Sequence, residues 1–509
     1  MALSLLGRGM LKNISQVILR FLGMAVTVPP LQPIRQSAKT SPSARPLPVQ
    51  FLAMKKLSRY FALLLFVASC QVEAQEDNFV HDFLKRELFA KASIGQTYVN
   101  STNDANLSLA CVSGMAKWRI SDQAEQRRFI RNLAALKQPV QHDIEHLMEM
   151  LDSKKLAEEE KTSLADLCIA SMVGSLDKRS QYYSRKDIAL NKLYNRDDWG
   201  QLQFQIQYEQ DVATIIYIPT NSSAYSSGLR VGDHIEMIDD EKPIANDVTN
   251  YQRLTRGPLG SKVKLTVSRD GVLLPMSIEV AREKSIPIPI KSERLENDIL
   301  YISAIKTDQA ALAKIAAALK NQNDLAHPLR GVILDLRNNT GDMLPAVVGV
   351  AAAFLKQESL VCEVRMSEGK TPYRLYANPD FYREGIVIDP FKDLPAWSKT
   401  VPIAVLTNAV TASGAELIAA ALQDNKRAIV VGQLTARKAV VQTVISDPYG
   451  ARLRITSGVM YRPSLQSLDG VGVTPDIEVS YSASNDGNTP PGQDAVVTTA
   501  IHALLSPQQ

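Results

Sequence analysis

Val401–Val444 reads VPIAVLTNAVTASGAELIAAALQDNKRAIVVGQLTARKAVVQTV. An apolar run enters a turn of small residues, a helical stretch follows, and a second apolar run, Ala428-Ile429-Val430-Val431, leads towards a lysine. Strand, turn, helix and strand in that order are a unit of layered α/β architecture. The layout sets Ser413, between Ala412 and Gly414, at the mouth of a helix, where the peptide dipoles favour developing negative charge. It sets Lys438 past a strand expected to be buried, and Gln442 four residues later. This is the pattern of a serine nucleophile with a lysine base. A hydroxyl is a poor nucleophile until a base takes its proton, and lysine can do so only when neutral, which requires burial or a nearby cation. Partial burial of Lys438 is therefore expected. Histidine is a poor rival, because none of the six lies between His327 and His502. A Ser-His-Asp triad in this segment would have to borrow its base from elsewhere.

Outward from that segment, residues 294–480 alternate strands and helices and predict a layered α/β core. Residues 200–283 change texture, with short strands at Val212–Ile218, His234–Ile238 and Val263–Val267 punctuated by Gly228, Gly232, Gly257, Gly260 and Gly271. Residues 76–195 read as helical, with apolar residues at helix spacing from Phe129 to Leu151. The Gly/Pro/Asn/Asp-rich stretch Ser484–Gln493 opens a segment, 481–509, expected to be a flexible tail. Residues 366–400 are a long aromatic connection, read as a lid, as a cover on the core or as support for a subunit contact.

The formal charge of +4 misleads. Residues 1–72 hold nine Lys/Arg and no Asp or Glu, and without them 48 basic residues face 53 acidic ones. The basicity belongs to a leader and gives no argument for nucleic acid. Residues 54–74 have the form of a signal peptide, with Lys55, Lys56 and Arg59 before the apolar run Tyr60–Ala68. Two cleavage readings stand side by side: a lipobox ending at Cys70, which would be lipidated, and an A-x-A-like site at Ala74 releasing a soluble chain. Residues 1–53 precede a normal signal start and read as an extra or non-native leader. Export to a bacterial periplasm or cell envelope follows. There, Cys111 and Cys168, on apolar faces of helical segments, either form one disulfide or remain buried thiols. Cys362, in an apolar strand, reads as a small buried hydrophobe. His142-Asp143-Ile144-Glu145-His146 has the H-x-x-E-H form of a zinc site, but it lies among acidic residues with no third-ligand motif, so no metal and no cofactor is expected.

The resemblance rests on five motifs in order: Ser175-Leu176-Asp177-Lys178-Arg179-Ser180-Gln181-Tyr182-Tyr183-Ser184; Ser223 to Ile235 with Leu254 to Val263; Val332 to Asn339; the Ser413/Lys438/Gln442 stretch; and Gly470 to Ile477. Together they resemble the carboxy-terminal processing (tail-specific) proteases, serine–lysine peptidases with a PDZ domain. The resemblance implies a multi-domain α/β chain: an N-terminal helical region, a PDZ-like β domain and a ClpP/crotonase-like protease core. It implies Ser413 as nucleophile, Lys438 as base and Gln442 as the group that orients the lysine. Backbone amides of Gly414 and of Gly341-Asp342 would form the oxyanion hole. Peptide tails would join the PDZ sheet edge near Gly200, Leu202, Phe204 and Arg256. Partners would be protein or peptide substrates with exposed C-terminal tails, with an adaptor protein, membrane association through a lipid anchor and homo-oligomers also compatible. The chain departs from the family's glycines at Asp342, Arg437 and Ala439. The competing expectation is a weak or inactive PDZ-bearing scaffold that binds tails without cutting them.

Overall fold

The computed structural model describes residues 78–119, 156–209, 211–244, 248–285, 290–322, 327–341, 343–367, 369–384, 386, 388–480 and 489–506. All of them fall in one compact unit, Glu76–Gln509. The leader with Cys70, the periodic segment from Phe129 to Leu151, the H-x-x-E-H string and Asp342 lie outside the described residues.

Among the described residues, three helices come first: α1 (Asn78–Thr97), α2 (Asp104–Arg119) and α3 (Glu158–Gly174). Helix α3 opens on Glu158, Glu159 and Glu160, which complement its positive end; the Glu160 carboxylate also accepts the Ala157 N–H at 2.9 Å. It buries Leu164, Cys168, Ile169, Met172 and Val173, a stripe at helix spacing. Cys168 is joined to Cys111 of α2 by a disulfide, with 4.0 Å between the Cα atoms. A short strand β1 (Gln181–Tyr183) and helix α4 (Arg185–Tyr194) follow.

The middle module comprises β2 (Trp199–Gln201), β3 (Gln205–Glu209), β4 (Val212–Tyr217), β5 (His234–Ile238), α5 (Val248–Thr255), β6 (Arg256–Pro258), β7 (Lys262–Ser268) and β8 (Met276–Ala281). Its five-stranded sheet has the order β3-β4-β5-β7-β8, so β3 is an edge, while β2 pairs separately with β6. Gly228 and Gly232 take φ of +97° and +91°, backbone that suits glycine. Asp233, fully buried, accepts from Arg269 Nε at 2.6 Å and from the Arg230 N–H at 2.9 Å.

The core holds β9 (Lys291–Leu295), β10 (Ile299–Ser303), α6 (Gln309–Lys320), β11 (Gly331–Asp335), α7 (Leu344–Phe354), β12 (Leu360–Met366), β13 (Tyr373–Tyr376), β14 (Ile403–Thr407), α8 (Gly414–Asp424), β15 (Ile429–Gly432), β16 (Val440–Ser446), β17 (Arg452–Tyr461), β18 (Ile477–Glu478) and α9 (Ala495–Leu505). A six-stranded sheet runs β18-β15-β14-β11-β10-β9, parallel except for β9. Strands β10, β11 and β14 are buried throughout, which is why they read as unbroken apolar runs. A second, antiparallel sheet is built on β17, which pairs with β1, β12 and β16. Leu453 and Ile455 of β17 pack into the core of the N-terminal helices.

Two expectations need correction or narrowing. Within the segment 481–509, residues 489–506 are not a flexible tail: α9 buries Val496, Val497 and Ala500 against the six-stranded sheet. Asp494 caps that helix, accepting the N–H groups of Val496 and Val497. In the aromatic connection, Tyr382 and Phe391 are buried within the main core, so that part covers the core. Among the described residues no helix is long and apolar enough to cross a membrane.

Candidate active site

Strand β14 ends at Thr407, and Asn408 to Ala412 turn the chain before α8. Ser413 sits at the N-cap with φ 55° and ψ −120°. A non-glycine residue there is strained and persists only where its surroundings over-determine it. The surroundings are buried and bonded. Asn408 Nδ2 donates to Asn338 Oδ1 at 2.7 Å, the Thr411 hydroxyl donates to the Leu336 carbonyl at 3.0 Å, and the Ala412 N–H donates to the Asn339 carbonyl at 2.9 Å. The Asn338-Asn339 loop and the serine turn are thus one hydrogen-bonded body.

Gly341 closes this body from the other side. Its φ is +85°, and a Cβ built on it would stand 2.5 Å from the Gly414 nitrogen and 2.9 Å from Ser413 Cβ. The expected oxyanion donor at Gly341 needs correction, because its N–H already donates to Asn339 Oδ1 at 2.8 Å.

Glu416, three residues into α8 from Ser413, is fully buried. Its Oε2 accepts the N–H of Ser413 at 2.9 Å and the N–H of Lys438 at 2.8 Å. Its Oε1 accepts the Thr435 hydroxyl at 2.5 Å and the Arg437 N–H at 2.8 Å. Burial pushes this carboxyl above its ordinary value, and the Thr435 hydroxyl and three backbone N–H groups pull against that. The residue was missed in the sequence, although Ser413-Gly414-Ala415-Glu416 has the S-x-x-E spacing of a capping box.

The lysine side departs from expectation twice. Lys438 is exposed, not partly buried. After β15 ends at Gly432 the chain leaves the sheet, and Arg437 turns it at φ 61°. Ala439, the other glycine departure, is buried. Gln442 does not orient the lysine here: its Nε2 donates to the Arg179 carbonyl at 2.8 Å. The Arg179 guanidinium in turn pairs with Asp469 at 2.6 Å and donates to the Arg437 carbonyl at 3.2 Å. The turn before it is held by Asp177, which accepts the N–H groups of Arg179 and Ser180, each at 2.7 Å.

A cleft of about 730 Å³ lies alongside, lined by Phe204, Ile206 and Tyr251 of the middle module, by Arg179 and Ser180, and by Thr340 beside Gly341. It therefore reaches from the edge strand β3 to the loop that closes on Gly414. Of the four residues expected to hold a peptide tail, Phe204 lines it. Gly200 instead pairs with Gly257 in the β2–β6 ribbon, Leu202 is buried in the module's core, and Arg256 donates to the Tyr194 carbonyl at 3.3 Å.

Residues 298–479 match the family described as peptidase family S41, and residues 214–269 match the PDZ domain. A carboxy-terminal-processing protease of Bartonella bacilliformis is 29% identical over 318 residues, covering 62% of this chain and 69% of that protein. A carboxyl-terminal-processing protease of Picosynechococcus sp. is 28% identical over 276 residues, covering 54% of this chain and 62% of its own length. Among solved structures, a photosystem II D1 C-terminal processing protease superposes with a TM-score of 0.57 at 18% identity, over 82% of this chain and 97% of that one. That last likeness is one of fold.

Proposed function

The chain is a serine-type peptidase of family S41 carrying a PDZ domain, in the carboxy-terminal processing protease family, and on that premise we propose that it is an exported endopeptidase cutting polypeptides near their C-terminal tails with Ser413 and Lys438. The single observation that carries the reading is the shared carboxylate oxygen of Glu416, bonded to the backbone of both residues. It ties the backbone of a serine on a strained turn at a helix N-terminus to that of a lysine on the loop after β15.

In this mechanism Ser413 Oγ attacks the scissile carbonyl carbon as neutral Lys438 Nζ takes its proton. The tetrahedral oxyanion would form beside the N-terminus of α8, with the Gly414 amide as its backbone donor. Collapse breaks the C–N bond, and the lysine returns the proton to the leaving amine. Water, deprotonated by the same lysine, then hydrolyses the acyl-enzyme ester. Lys438 is exposed before substrate arrives, so a peptide laid across it would supply the desolvation that favours a neutral amine. The tail would enter by adding to the edge strand β3, in the cleft beside Phe204 and Tyr251. Export rests on the leader-like residues 54–74, and an intact mass of the secreted chain tests both cleavage readings.

The decisive experiment offers a disordered protein with a free or an amidated C-terminus to wild type, Ser413→Ala and Lys438→Ala. Turnover of the free-tailed substrate, lost in both variants, is expected. Equal turnover in Ser413→Ala would refute the dyad. A second reading is favoured by the alternative partners of Gln442 and Gly341: a PDZ-bearing scaffold that binds tails uncut. Its signature is wild-type binding of the tail peptide without any product.

A further inference from the structure

Two non-glycine residues of the proposed dyad loops hold positive φ, Ser413 at 55° and Arg437 at 61°. Both send their N–H into the same buried carboxylate, that of Glu416. Among the described residues, the Lys438 N–H and the Thr435 hydroxyl complete its shell, so four donors and no cationic side chain are bonded to it. Such a shell suits an anion: each oxygen accepts two hydrogen bonds, and charge-assisted bonds of this kind are about twice as strong as neutral ones. Its place in the first turn of α8 adds the favourable end of the helix dipole.

The two strained turns come from different parts of the chain. One follows β14, the other follows β15; a single backbone bond joins them directly, from the Ala436 N–H to the Thr411 carbonyl at 2.9 Å, two residues short of both Ser413 and Lys438. What spans them at the reacting residues is the Glu416 carboxylate. An ordinary capping box would use the glutamate only for its own helix end. Here three of the four donors belong to the lysine-bearing loop.

We propose that Glu416 is a positioning residue, a carboxylate clasp that fixes the separation of the Ser413 and Lys438 backbones and holds both strained turns in register for proton transfer. This rests on the serine–lysine reading above. The clasp touches neither substrate nor the reacting atoms, so its effect must pass through the geometry of the pair. An isosteric Glu416→Gln places an NH₂ group against two donors. It leaves the side-chain volume alone but breaks the clasp on one side.

The test uses the full chain, with two readouts: steady-state cleavage of a disordered substrate, and the rate at which a fluorophosphonate labels Ser413. Glu416→Gln is expected to lower kcat roughly a hundredfold, the scale of a misplaced catalytic group, with KM within about twofold. It is expected to slow labelling in the wild-type background but only about twofold when Lys438→Ala is already present, because a group acting through the lysine has nothing left to align. A merely structural role would slow labelling equally in both backgrounds and overturn the proposal. Thermal melting checks that the variant is folded. Should Glu416→Gln not fold, Thr435→Val, which removes one donor and keeps the carboxylate, decides in its place with an expected loss of roughly tenfold in kcat and the same dependence on Lys438. Wild-type rates in the variant used, with Ser413→Ala and Lys438→Ala inactive, overturn the clasp and leave the dyad standing. A wild type without Ser413-dependent turnover overturns both together.

Discussion

Replacing Gly341 with alanine is the sharpest test of how the serine turn is held. Two costs add at this position. At φ +85° an L-residue is in the left-handed region, which costs roughly 1–2 kcal/mol. The new Cβ would stand 2.5 Å from the Gly414 nitrogen, 2.9 Å from the Ala412 carbonyl oxygen and 2.9 Å from Ser413 Cβ. Two of those atoms are backbone, and the Ala412 peptide is pinned by the Ala412–Asn339 and Ala415–Ala412 hydrogen bonds, so no flexible side chain can swing aside. Forcing a methyl into such a contact costs roughly 1–3 kcal/mol. The sum, about 2–5 kcal/mol, is a large share of the roughly 5–15 kcal/mol by which a domain is stable.

The displacement falls on Ser413 itself, so turnover should drop by roughly a hundredfold as well. Urea unfolding of wild type and Gly341→Ala measures the first effect, and cleavage of a disordered substrate measures the second. Gly450→Ala is the control: its φ is +88°, but its Cβ would meet only Arg185 side-chain carbons at 3.7 Å. It should show the left-handed cost alone, with turnover intact. A Gly341→Ala protein with the stability and kcat of the Gly450→Ala protein would refute the close approach of Gly341 to the serine turn.

Three further outcomes are expected. Arg437→Gly removes the left-handed strain at φ 61°, worth roughly 1–2 kcal/mol, against roughly 0.4–1 kcal/mol of added unfolded-state entropy; urea midpoints should show no loss and a gain of up to about 1.5 kcal/mol. Cys111→Ala with Cys168→Ala opens a loop of 57 residues and should cost about 4 kcal/mol by loop-closure entropy, read as a reductant-independent drop in the unfolding midpoint. Burial alone would raise the Asp424 carboxyl, but Arg462, bonded to both its oxygens, and the Ser464 N–H together hold it below its ordinary value. A depressed carboxyl adds stability that is present above the unfolded value of about 3.9 and is lost as pH falls through the folded one, so Asp424→Asn should flatten the decline in stability below about pH 4 and cost about 1.5–3 kcal/mol at neutral pH.

What the sequence carried and what it hid divide along the range of the interactions involved. The buried parallel strands, the serine at the helix mouth and the turns at Gly228 and Gly232 are set by neighbours in sequence, and apolar runs or glycines announce them. The helix after Asp494 was equally local, with a capping Asp and apolar residues at Val496, Val497 and Ala500, but the Gly/Pro-rich stretch before it drew the reading towards a tail. Other features depend on residues far along the chain. An apolar strand before Lys438 suggested burial, yet β15 stops at Gly432 and the intervening turn carries the lysine out to solvent. Gln442 meets the Arg179 carbonyl 263 positions away, a pairing that no local pattern marks. Glu416 was half legible: its capping-box spacing is in the sequence, but its bonds to Thr435, Arg437 and Lys438 are long-range.

The geometry also constrains how the proposed dyad would be switched on. Ser413 and Glu416 are fixed by buried bonds, whereas Gln442 and the Gly341 N–H each hold a different partner and Lys438 stands in solvent. Releasing Gln442 from Arg179 exchanges one neutral hydrogen bond, worth about 0.5–1.5 kcal/mol net. Arg179 lines the cleft that runs on to the edge strand β3. A tail seated there buries apolar surface at about 25 cal/mol per Å², so about 60 Å² of new apolar contact offsets the upper end of that cost. The same peptide would cover Lys438. On this reading substrate binding and desolvation of the base are one event, and truncating the tail should lower kcat and not only raise KM, as expected when remote binding energy is used at the reacting centre. A tail-truncated substrate that loses affinity alone, at unchanged kcat, would separate the cleft from the chemistry.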